Sequence, residues 1–325
     1  MTLPIENDVP RASPSRGAIT ELQRRSFHAL SRLHHGVNRL VLTDFPDYAN
    51  IGDSAIALGQ REYWRQAGIT VEATYSWRTI APRVYESPVP VAIQGGGNFG
   101  GLYPQHGEHR YRLAERLRPD TELIQEPQSV HFATDADRTE FATRMATRRR
   151  LRMAVRDHAS LEAVRGLVEN VMLAPDSVHM LGPISSPAPS TPVVHLLRRD
   201  AESAAPGHRA DAVDWPDMTF TDRLGRRLSR TVFEGAVTRT MNRSTERWFA
   251  DASRRLATGV ALLAPGETIV TDRLHAMLIA LQMGRRVIAI DNANGKLTSY
   301  AATWLDDLDL PLAFAADVAA AAEMV

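Results

Sequence analysis

Short apolar segments, each followed by polar or glycine-rich residues and then by a helical pattern, recur between residues 39 and 177. The first unit starts at Arg39, passes through a polar loop to Asp53, and continues as a helical pattern to Ala67. Five such units precede a stretch, Gly182 to Pro192, that contains four Pro and three Ser. Alternating strands and helices are typical of a parallel sheet with helices on both faces. The pattern therefore predicts a doubly wound α/β fold.

The length of the chain predicts a second domain after this sheet. A chain of 325 residues exceeds the size at which one core usually stops growing. We expect an N-terminal domain at 18–182, a linker at 183–192 and a C-terminal domain at 193–325. Residues 1–17 hold three Pro but no apolar core of the kind a signal peptide needs. They are predicted to form a loose arm.

The composition excludes several classes of function. Lys plus Arg and Asp plus Glu both number 38, so no net charge attracts nucleic acid or an anionic membrane. With no Cys, a thiol nucleophile and thiolate metal sites are impossible. No stretch of about 18 apolar residues suggests a membrane-spanning helix. We expect a cytoplasmic protein with no nucleic-acid partner and no integral membrane segment, which leaves peripheral membrane contact open.

Cationic residues follow predicted strands in the second half of the chain. The apolar segment Val193–Leu197 runs into Arg198 and Arg199, and the segment Val287–Ile290 leads to Lys296. Ligands of open α/β sheets bind just outside the carboxyl ends of the strands. Each residue alone is more often a surface charge, but their repeated strand-end position favours a common anion site.

The most distinctive of these strand ends contains both an arginine and a histidine. An apolar strand beginning at Val260 is predicted to lead through Asp272, Arg273 and His275 into a helix that continues to Ala280. A helix N-terminus offers backbone N–H groups to an anion. The alternative is that Asp272 only caps the helix and pairs with Arg273. The residues by themselves leave the two interpretations equally weighted.

Polar and glycine-rich strand ends also occur in the first half. One of them places Asn50, Gly52 and Asp53 at a helix start, where Asp53 is either a plain N-cap or a functional carboxylate. Another contains five Gly in the seven residues 95–101 and is predicted to be a binding loop rather than a tight turn. That loop begins with Gly95, Gly96, Gly97 and Asn98. Helix formation after it is expected only from Glu108.

A third strand end in this half is predicted at Glu126. Because it shares the sheet edge with the glycine loop, Glu126 is a candidate acid or base, although a surface-loop carboxylate is the commoner outcome. The histidines of the first helical segment, His28, His34 and His35, lack acidic partners at metal-ligand spacing and receive no role.

Taken together, these motifs resemble the polysaccharide pyruvyl transferase family. The resemblance covers residues 50–296 in the family's order and consists of Asn50–Asp53, Gly95–Asn98, Pro127–Ser129, Val155–Asp157 with Ser160, Leu197–Glu202, Asp272–His275 and Asp291–Lys296. It implies two Rossmann-like domains facing each other across a cleft, similar to the glycosyltransferase-B architecture. It also implies transfer of pyruvate from phosphoenolpyruvate to two hydroxyls of a sugar or lipid-linked oligosaccharide, as a ketal.

The resemblance assigns donor binding and catalysis to Arg273 and His275, which flank Leu274, and donor binding to Arg198 with Arg199 beside it. Lys296 is a further cation for the phosphate or carboxylate of phosphoenolpyruvate. Related sequences often have Ser-Tyr where this chain has Ala-Asn at 293–294, which leaves acceptor specificity open.

The residue chemistry is compatible with ketal transfer. Because imidazole titrates close to neutral pH, His275 is the expected proton donor to the methylene carbon of phosphoenolpyruvate. Asp53 is the first candidate and Glu126 the second for accepting a hydroxyl proton. No metal and no cofactor is required, since arginine can neutralise the phosphate. The alternatives are a nucleotide-sugar glycosyltransferase of similar fold and a non-catalytic glycan-binding or assembly subunit.

Overall fold

A computed structural model of the protein describes residues 14–101, 103–199, 212–216, 243–291 and 295–325. The first of its two sheets has seven parallel strands. In chain order these are β1 (Arg39–Thr43), β2 (Thr70–Thr74), β3 (Val91–Ile93), β4 (Gly96–Phe99), β5 (Leu123–Val130), β6 (Leu151–Val155) and β7 (Val171–Leu173). Their spatial order is β2-β1-β3-β5-β6-β7, and β4 pairs with β5.

The second sheet has four parallel strands in the order β11-β10-β9-β8. These strands are β8 (Thr191–Leu196), β9 (Gly266–Thr271), β10 (Arg286–Ile290) and β11 (Leu312–Ala315). The first sheet ends with β7, and β8 starts within the stretch predicted to be the linker. Two parallel sheets connected by helices confirm the α/β class.

Helices connect the strands of both sheets. In the described ranges they are α1 (Pro14–Leu33), α2 (Ile51–Ala67), α3 (Pro104–Arg116), α4 (Asp135–Arg144), α5 (His158–Val164), α6 (Thr245–Leu263), α7 (Leu274–Gln282), α8 (Lys296–Trp304) and α9 (Val318–Glu323). Single 3-10 turns occupy Pro82–Glu86 and Ser177–Leu181. None of the described helices combines the length and hydropathy that crossing a membrane requires.

Two helix boundaries and one strand boundary differ from those expected. Helix α1 starts at Pro14 and so takes up the end of the predicted arm. Helix α3 starts at Pro104 rather than Glu108, because proline fits the first helical position, where no N–H is needed. The strand predicted from Val260 is wrong, since the apolar residues there belong to the last turn of α6 and β9 begins only at Gly266.

One apolar cluster connects the two sheets. Leu22 of α1 and Ile51 and Ala55 of α2 are buried in the same cluster as the apolar residues of α7 and β9. Helix α6 packs so closely on α2 that a Cβ added at Gly259 would lie 2.5 Å from Ile51 Cγ2. The helices α1, α2 and α6 therefore hold the two sheets together, with the carboxyl ends of both sheets beside the same cavity.

Candidate active site

A cavity of about 390 Å³, here called the central cavity, lies where strands of both sheets end. The first sheet contributes residues that follow β1, β4 and β6, including Asn50, Asp53 and Arg156. The second sheet contributes residues that follow β8, β9 and β10, and these are Arg198, Arg273, Leu274, His275 and Lys296. Nine of the residues predicted for the site therefore meet at one cavity, and they are Asn50, Asp53, Gly97, Asn98, Arg198, Arg273, Leu274, His275 and Lys296.

A carboxylate–histidine pair is assembled across the two sheets. His275 lies in the first turn of α7, and its Nε2 is 3.1 Å from Oδ2 of Asp176, which follows β7. The same oxygen accepts a hydrogen bond of 2.6 Å from Nη1 of Arg156. Burial pushes the pKa of Asp176 upward, but the charges of His275 and Arg156 outweigh this effect and hold it below its ordinary value. Asp176 therefore stays ionised and orients the imidazole.

Arg156 is fixed by groups of the first sheet. Its Nε donates to Ser129 Oγ at 2.8 Å, and Ser129 Oγ donates to Asp157 Oδ2 at 2.7 Å. Asp157 also caps α5 by accepting from the backbone N–H of Ser160 at 2.7 Å. The residues of the motif at 155–157 and Ser160 therefore hold the buried guanidinium group of Arg156 in place.

One face of α8 approaches the same group of residues. Lys296, Tyr300 and Trp304 are four residues apart and so lie on one side of the helix. Lys296 lines the central cavity. The Tyr300 hydroxyl accepts from the backbone N–H of Asp176 at 2.9 Å, and Trp304 Nε1 donates to the carbonyl of Arg156 at 2.8 Å. A helix of the second sheet thereby braces two residues of the first.

Two of the predicted glycines allow side chains to approach the backbone closely. A Cβ at Gly52 would lie 2.5 Å from His275 Nδ1, and a Cβ at Gly97 would lie 2.9 Å from Arg156 Nη2. Gly95 approaches the carbonyl oxygen of Pro127, which would be 2.5 Å from an added Cβ. The glycine segment is not the expected loop, because Gly96–Phe99 forms β4 with Gly96 at φ +144°. Gly97 and Asn98 line the central cavity from this strand.

Asp53 is not the cap of α2. Asn50 has that position, since its Oδ1 accepts from the backbone N–H of Asp53 at 3.3 Å. The Asp53 carboxylate instead accepts from the hydroxyl of Tyr48 at 2.8 Å and lines the central cavity. Burial raises its pKa, and the charge of His275 offsets only part of this effect. A carboxyl group of raised pKa is better suited to exchange protons near neutral pH.

The cationic residues after β8 and β9 are held by two aspartates. Arg273 binds Asp214 through two hydrogen bonds, of 2.5 Å from Nε and 2.8 Å from Nη2. Asp272 Oδ1 accepts from the backbone N–H of Arg198 at 2.8 Å. Asp272 therefore ties the ends of β8 and β9 together, and the expected cap is wrong because Arg273 is the N-cap residue of α7. Arg199 is exposed, donates to the carbonyl of Ala212 and does not line the central cavity.

The opposite wall of the central cavity is aromatic, and sequence patterns did not predict it. Tyr48, Trp77 and Tyr103 line it, and their ring centroids lie 6.0 to 6.4 Å from that of His106. His106 Nδ1 is 2.8 Å from Asp44 Oδ1. Since the rings come from three separate segments, only the folded chain brings them together.

Glu126 lies away from the central cavity, so its expected role is wrong. It is completely buried inside β5, where its Oε1 is 2.8 Å from His34 Nε2. The side chain of His34, which received no role in the sequence analysis, is equally buried and also accepts from Trp64 Nε1 at 3.3 Å. The pair is part of the interior of the first sheet. Within the described ranges, His, Asp and Glu side chains do not form a group of three suited to a metal ion.

Parallel sheets with arginine, lysine and histidine at their carboxyl ends define an α/β enzyme with a cationic site. The chain belongs to the polysaccharide pyruvyl transferase family, whose model matches residues 50–294. It is 29% identical to "Pyruvyl transferase 1" of Schizosaccharomyces pombe, over 93% of this chain and 79% of that protein. It is 24% identical to the EpsO protein of Bacillus subtilis, over 83% of this chain and 86% of that protein. The chain is therefore a pyruvyl transferase.

The fold is also similar to that of a solved structure. The crystal structure of a functionally uncharacterised protein from Klebsiella pneumoniae superposes with a TM-score of 0.60 at 15% identity, covering 90% of this chain and 98% of that one. The likeness extends over both sheets and concerns the fold alone.

Proposed function

We propose that the chain transfers pyruvate from phosphoenolpyruvate to two hydroxyls of a sugar in a polysaccharide or related glycan, forming a ketal and releasing phosphate. The observation that carries the proposal is the central cavity itself, which is lined by cationic residues, by aromatic rings, and by Asp53 and His275. We further propose that the two sheets act as facing Rossmann-like halves of a glycosyltransferase-B-like enzyme in the cytoplasm.

The cationic wall suits the donor. Phosphoenolpyruvate carries a phosphate and a carboxylate, and both are recognised well by guanidinium groups. Arg198, Arg273 and Lys296 line the cavity from the second sheet and Arg156 from the first. Arg273 has a defined orientation because Asp214 holds two of its nitrogens. We assign the binding of the donor's phosphate and carboxylate to these four side chains.

His275 is the proposed acid for the methylene carbon of the donor. Its Nε2 bonds to Asp176, whereas its Nδ1 has no hydrogen bond to a described residue. An ionised, buried Asp176 stabilises the imidazolium that must form before each proton transfer. Protonation of the methylene carbon creates positive charge on the adjacent carbon, which bears the phosphate.

Asp53 is the proposed base for the acceptor. The first sugar hydroxyl adds to the electrophilic carbon and gives its proton to the Asp53 carboxylate. The C–O bond to phosphate then breaks, and the second hydroxyl adds to the same carbon, its proton leaving with the phosphate. The proton that Asp53 accepts from the first hydroxyl balances the proton that His275 gives to the methylene carbon. The proton of the second hydroxyl is released with the phosphate.

The aromatic wall suits the acceptor. The C–H face of a sugar ring is apolar and packs against aromatic rings, while its hydroxyls remain at the edge for hydrogen bonding. Tyr48, Trp77 and Tyr103 provide such rings beside Asp53. We therefore expect an acceptor hydroxyl to lie between the proposed base and the donor.

Phosphate release is the direct test. We expect purified protein to release phosphate from phosphoenolpyruvate only when a β-galactoside or similar sugar is present, with pyruvate becoming attached to the sugar. His275→Ala should abolish this turnover, whereas His28→Ala, on the exposed side of α1, should not affect it. Sugar transfer from a uridine or guanosine diphosphate sugar, without an effect of phosphoenolpyruvate, would show instead that the protein is a glycosyltransferase.

A further inference from the structure

A second cavity, of about 400 Å³, lies at the opposite edge of the first sheet. It is lined by residues at the amino ends of three strands, Glu122 before β5, Leu151 in β6 and Val171 in β7. Strand β5 has eight residues, which at about 3.3 Å per residue separates the two sheet edges by roughly 25 Å. A ligand in this cavity therefore does not touch the reacting atoms in the central cavity.

Four arginines line this second cavity, here called the arginine cavity, and they are Arg32, Arg149, Arg150 and Arg152. His35 adds a further titratable group, and Glu122 is the one carboxylate in the described lining. Because the whole chain has equal numbers of acidic and basic residues, this is a local excess of positive charge.

The wall of the arginine cavity is fixed by one of these arginines. Arg152 Nε donates to Glu122 Oε1 at 2.6 Å. Its Nη1 donates to the carbonyls of Leu33 and His35, at 3.0 and 2.8 Å. It thereby covers the carbonyl groups at the end of α1, whose negative dipole would otherwise repel an anion. Glu122 is neutralised by the same residue.

The other three arginines have no such partner among the described residues. The guanidinium groups of Arg32, Arg149 and Arg150 form no ion pair and no hydrogen bond there. Elsewhere on the surface exposed arginines are commonly paired, as Arg165 is with Glu162 and Arg254 with Asp251. Three like charges around one concavity repel each other, and an anion between them would relieve that repulsion.

We infer that the arginine cavity is a binding site for a phosphate group, separate from the site of pyruvyl transfer. Guanidinium groups bind phosphate through two parallel hydrogen bonds each, and several arginines around one cavity favour a dianion or a diphosphate. The phosphate can belong to a free metabolite or to the headgroup of an anionic lipid. The inference does not depend on the identity of the donor or acceptor in the central cavity.

The first experiment is a calorimetric titration of the full-length protein with inorganic diphosphate. We expect two binding events, one of which is displaced by phosphoenolpyruvate from the central cavity. Arg149→Ser with Arg150→Ser should weaken the other event by about tenfold or more, because each charge-assisted hydrogen bond contributes measurably to affinity. The control, Arg165→Ser with Arg254→Ser, removes the same charge from exposed positions and should retain both events.

Unchanged diphosphate binding in the Arg149 and Arg150 double variant would overturn the inference. Since both side chains are exposed and their guanidinium groups form no ion pair or hydrogen bond with a described residue, this variant should fold and should retain pyruvyl transfer within about twofold. Failure of the transfer assay in the wild-type protein would instead contradict the proposed function and leave the diphosphate result valid.

Vesicle binding identifies the source of the phosphate. Wild-type protein and both double variants are sedimented with vesicles of phosphatidylcholine alone and of phosphatidylcholine mixed with phosphatidylglycerol. If only the Arg149 and Arg150 variant loses both diphosphate and anionic-vesicle binding, the ligand is a lipid headgroup. Loss of diphosphate binding with no difference in vesicle binding indicates a soluble phosphate compound.

Discussion

Nε2 of His275 lies 3.1 Å from Oδ2 of Asp176, although the two residues belong to different sheets. His275 is on the helix that follows β9, and Asp176 follows β7. The pair therefore forms only when the two sheets have docked through their shared core. The role proposed for His275 therefore depends on the correct packing of α1, α2 and α6 as well as on the local sequence.

The first prediction concerns this pair. Asp176→Asn retains the size of the side chain but removes the charge that stabilises the imidazolium. We expect kcat to fall by about a hundredfold or more, with a much smaller change in the KM for phosphoenolpyruvate. Asp307→Asn, on an exposed carboxylate, serves as control. A wild-type kcat for Asp176→Asn would show that the pair is not catalytic.

Gly52 provides a steric test of the same histidine. In Gly52→Ala the new methyl group would lie 2.5 Å from His275 Nδ1, so the imidazole must move away from its present position. We expect kcat to fall at least about tenfold, since small displacements of catalytic groups are costly. Gly17→Ala, in α1 with no atom within 4 Å of the added Cβ, should leave kcat unchanged. Equal activity of the two variants would contradict the close contact.

Replacing Arg273 by lysine should change only the KM for the donor. Arg273→Lys keeps one positive charge but cannot keep both hydrogen bonds to Asp214 or bind an anion through two nitrogens. We expect the KM for phosphoenolpyruvate to rise about tenfold, since roughly one charge-assisted hydrogen bond is lost, while the KM for the sugar stays constant. Arg254→Lys is the matched control. A rise in the sugar KM instead would place the donor elsewhere.

Replacing Trp77 should change only the KM for the acceptor sugar. Removing its ring in Trp77→Ala takes away part of the aromatic wall, and we expect the sugar KM to rise by roughly tenfold, the cost of one lost aromatic contact. Trp304→Phe, by comparison, removes a hydrogen bond to the Arg156 carbonyl and should lower kcat without changing the sugar KM. Steady-state kinetics with each substrate varied in turn distinguishes the effects of these two variants.

Stability should depend on pH through His109. Burial lowers the pKa of His109 from 6.5 to about 4, and the charge of Asp44 offsets only part of this effect. Between these values the unfolded chain binds a proton that the folded chain does not, so the free energy of unfolding falls as pH drops from 6.5 towards 4. One such group accounts for about 3 kcal/mol over this range.

Urea unfolding at pH 7 and pH 4.5 measures this effect. His109→Gln cannot take up the proton, so we expect a smaller loss of stability on acidification than in the wild-type protein. His28→Gln, at an exposed position, should retain the full loss. The prediction fails if the two variants lose stability equally.

Strand-end position predicted much of the central cavity from the sequence. Arg198, Arg273, His275 and Lys296 line it because the carboxyl ends of parallel strands meet at one edge of a sheet. The same principle explains Asp53, whose place after β1 was correct although its function as a cap was left open. Residues at such ends can be recognised without knowing how the sheets pack.

Other parts of the site depend on distant contacts. Asp176 was visible only as a polar strand end, and its pairing with His275 spans 99 residues. Glu126, which precedes Pro127, was predicted to lie at a strand end. In the structure β5 continues through this proline, and its pairing with β6 is irregular between Gln125 and Gln128. Proline is tolerated at such irregularities because no ladder hydrogen bond is needed there.

The face of α8 that carries Lys296, Tyr300 and Trp304 limits how this chain can vary. Inserting one residue between Lys296 and Tyr300 would rotate the remainder of the helix by about 100°. The Tyr300 hydroxyl would then turn away from Asp176 and the Trp304 indole from Arg156, although every residue would still be present. We expect functional variants of this enzyme to tolerate substitutions within α8 far more readily than changes in its length.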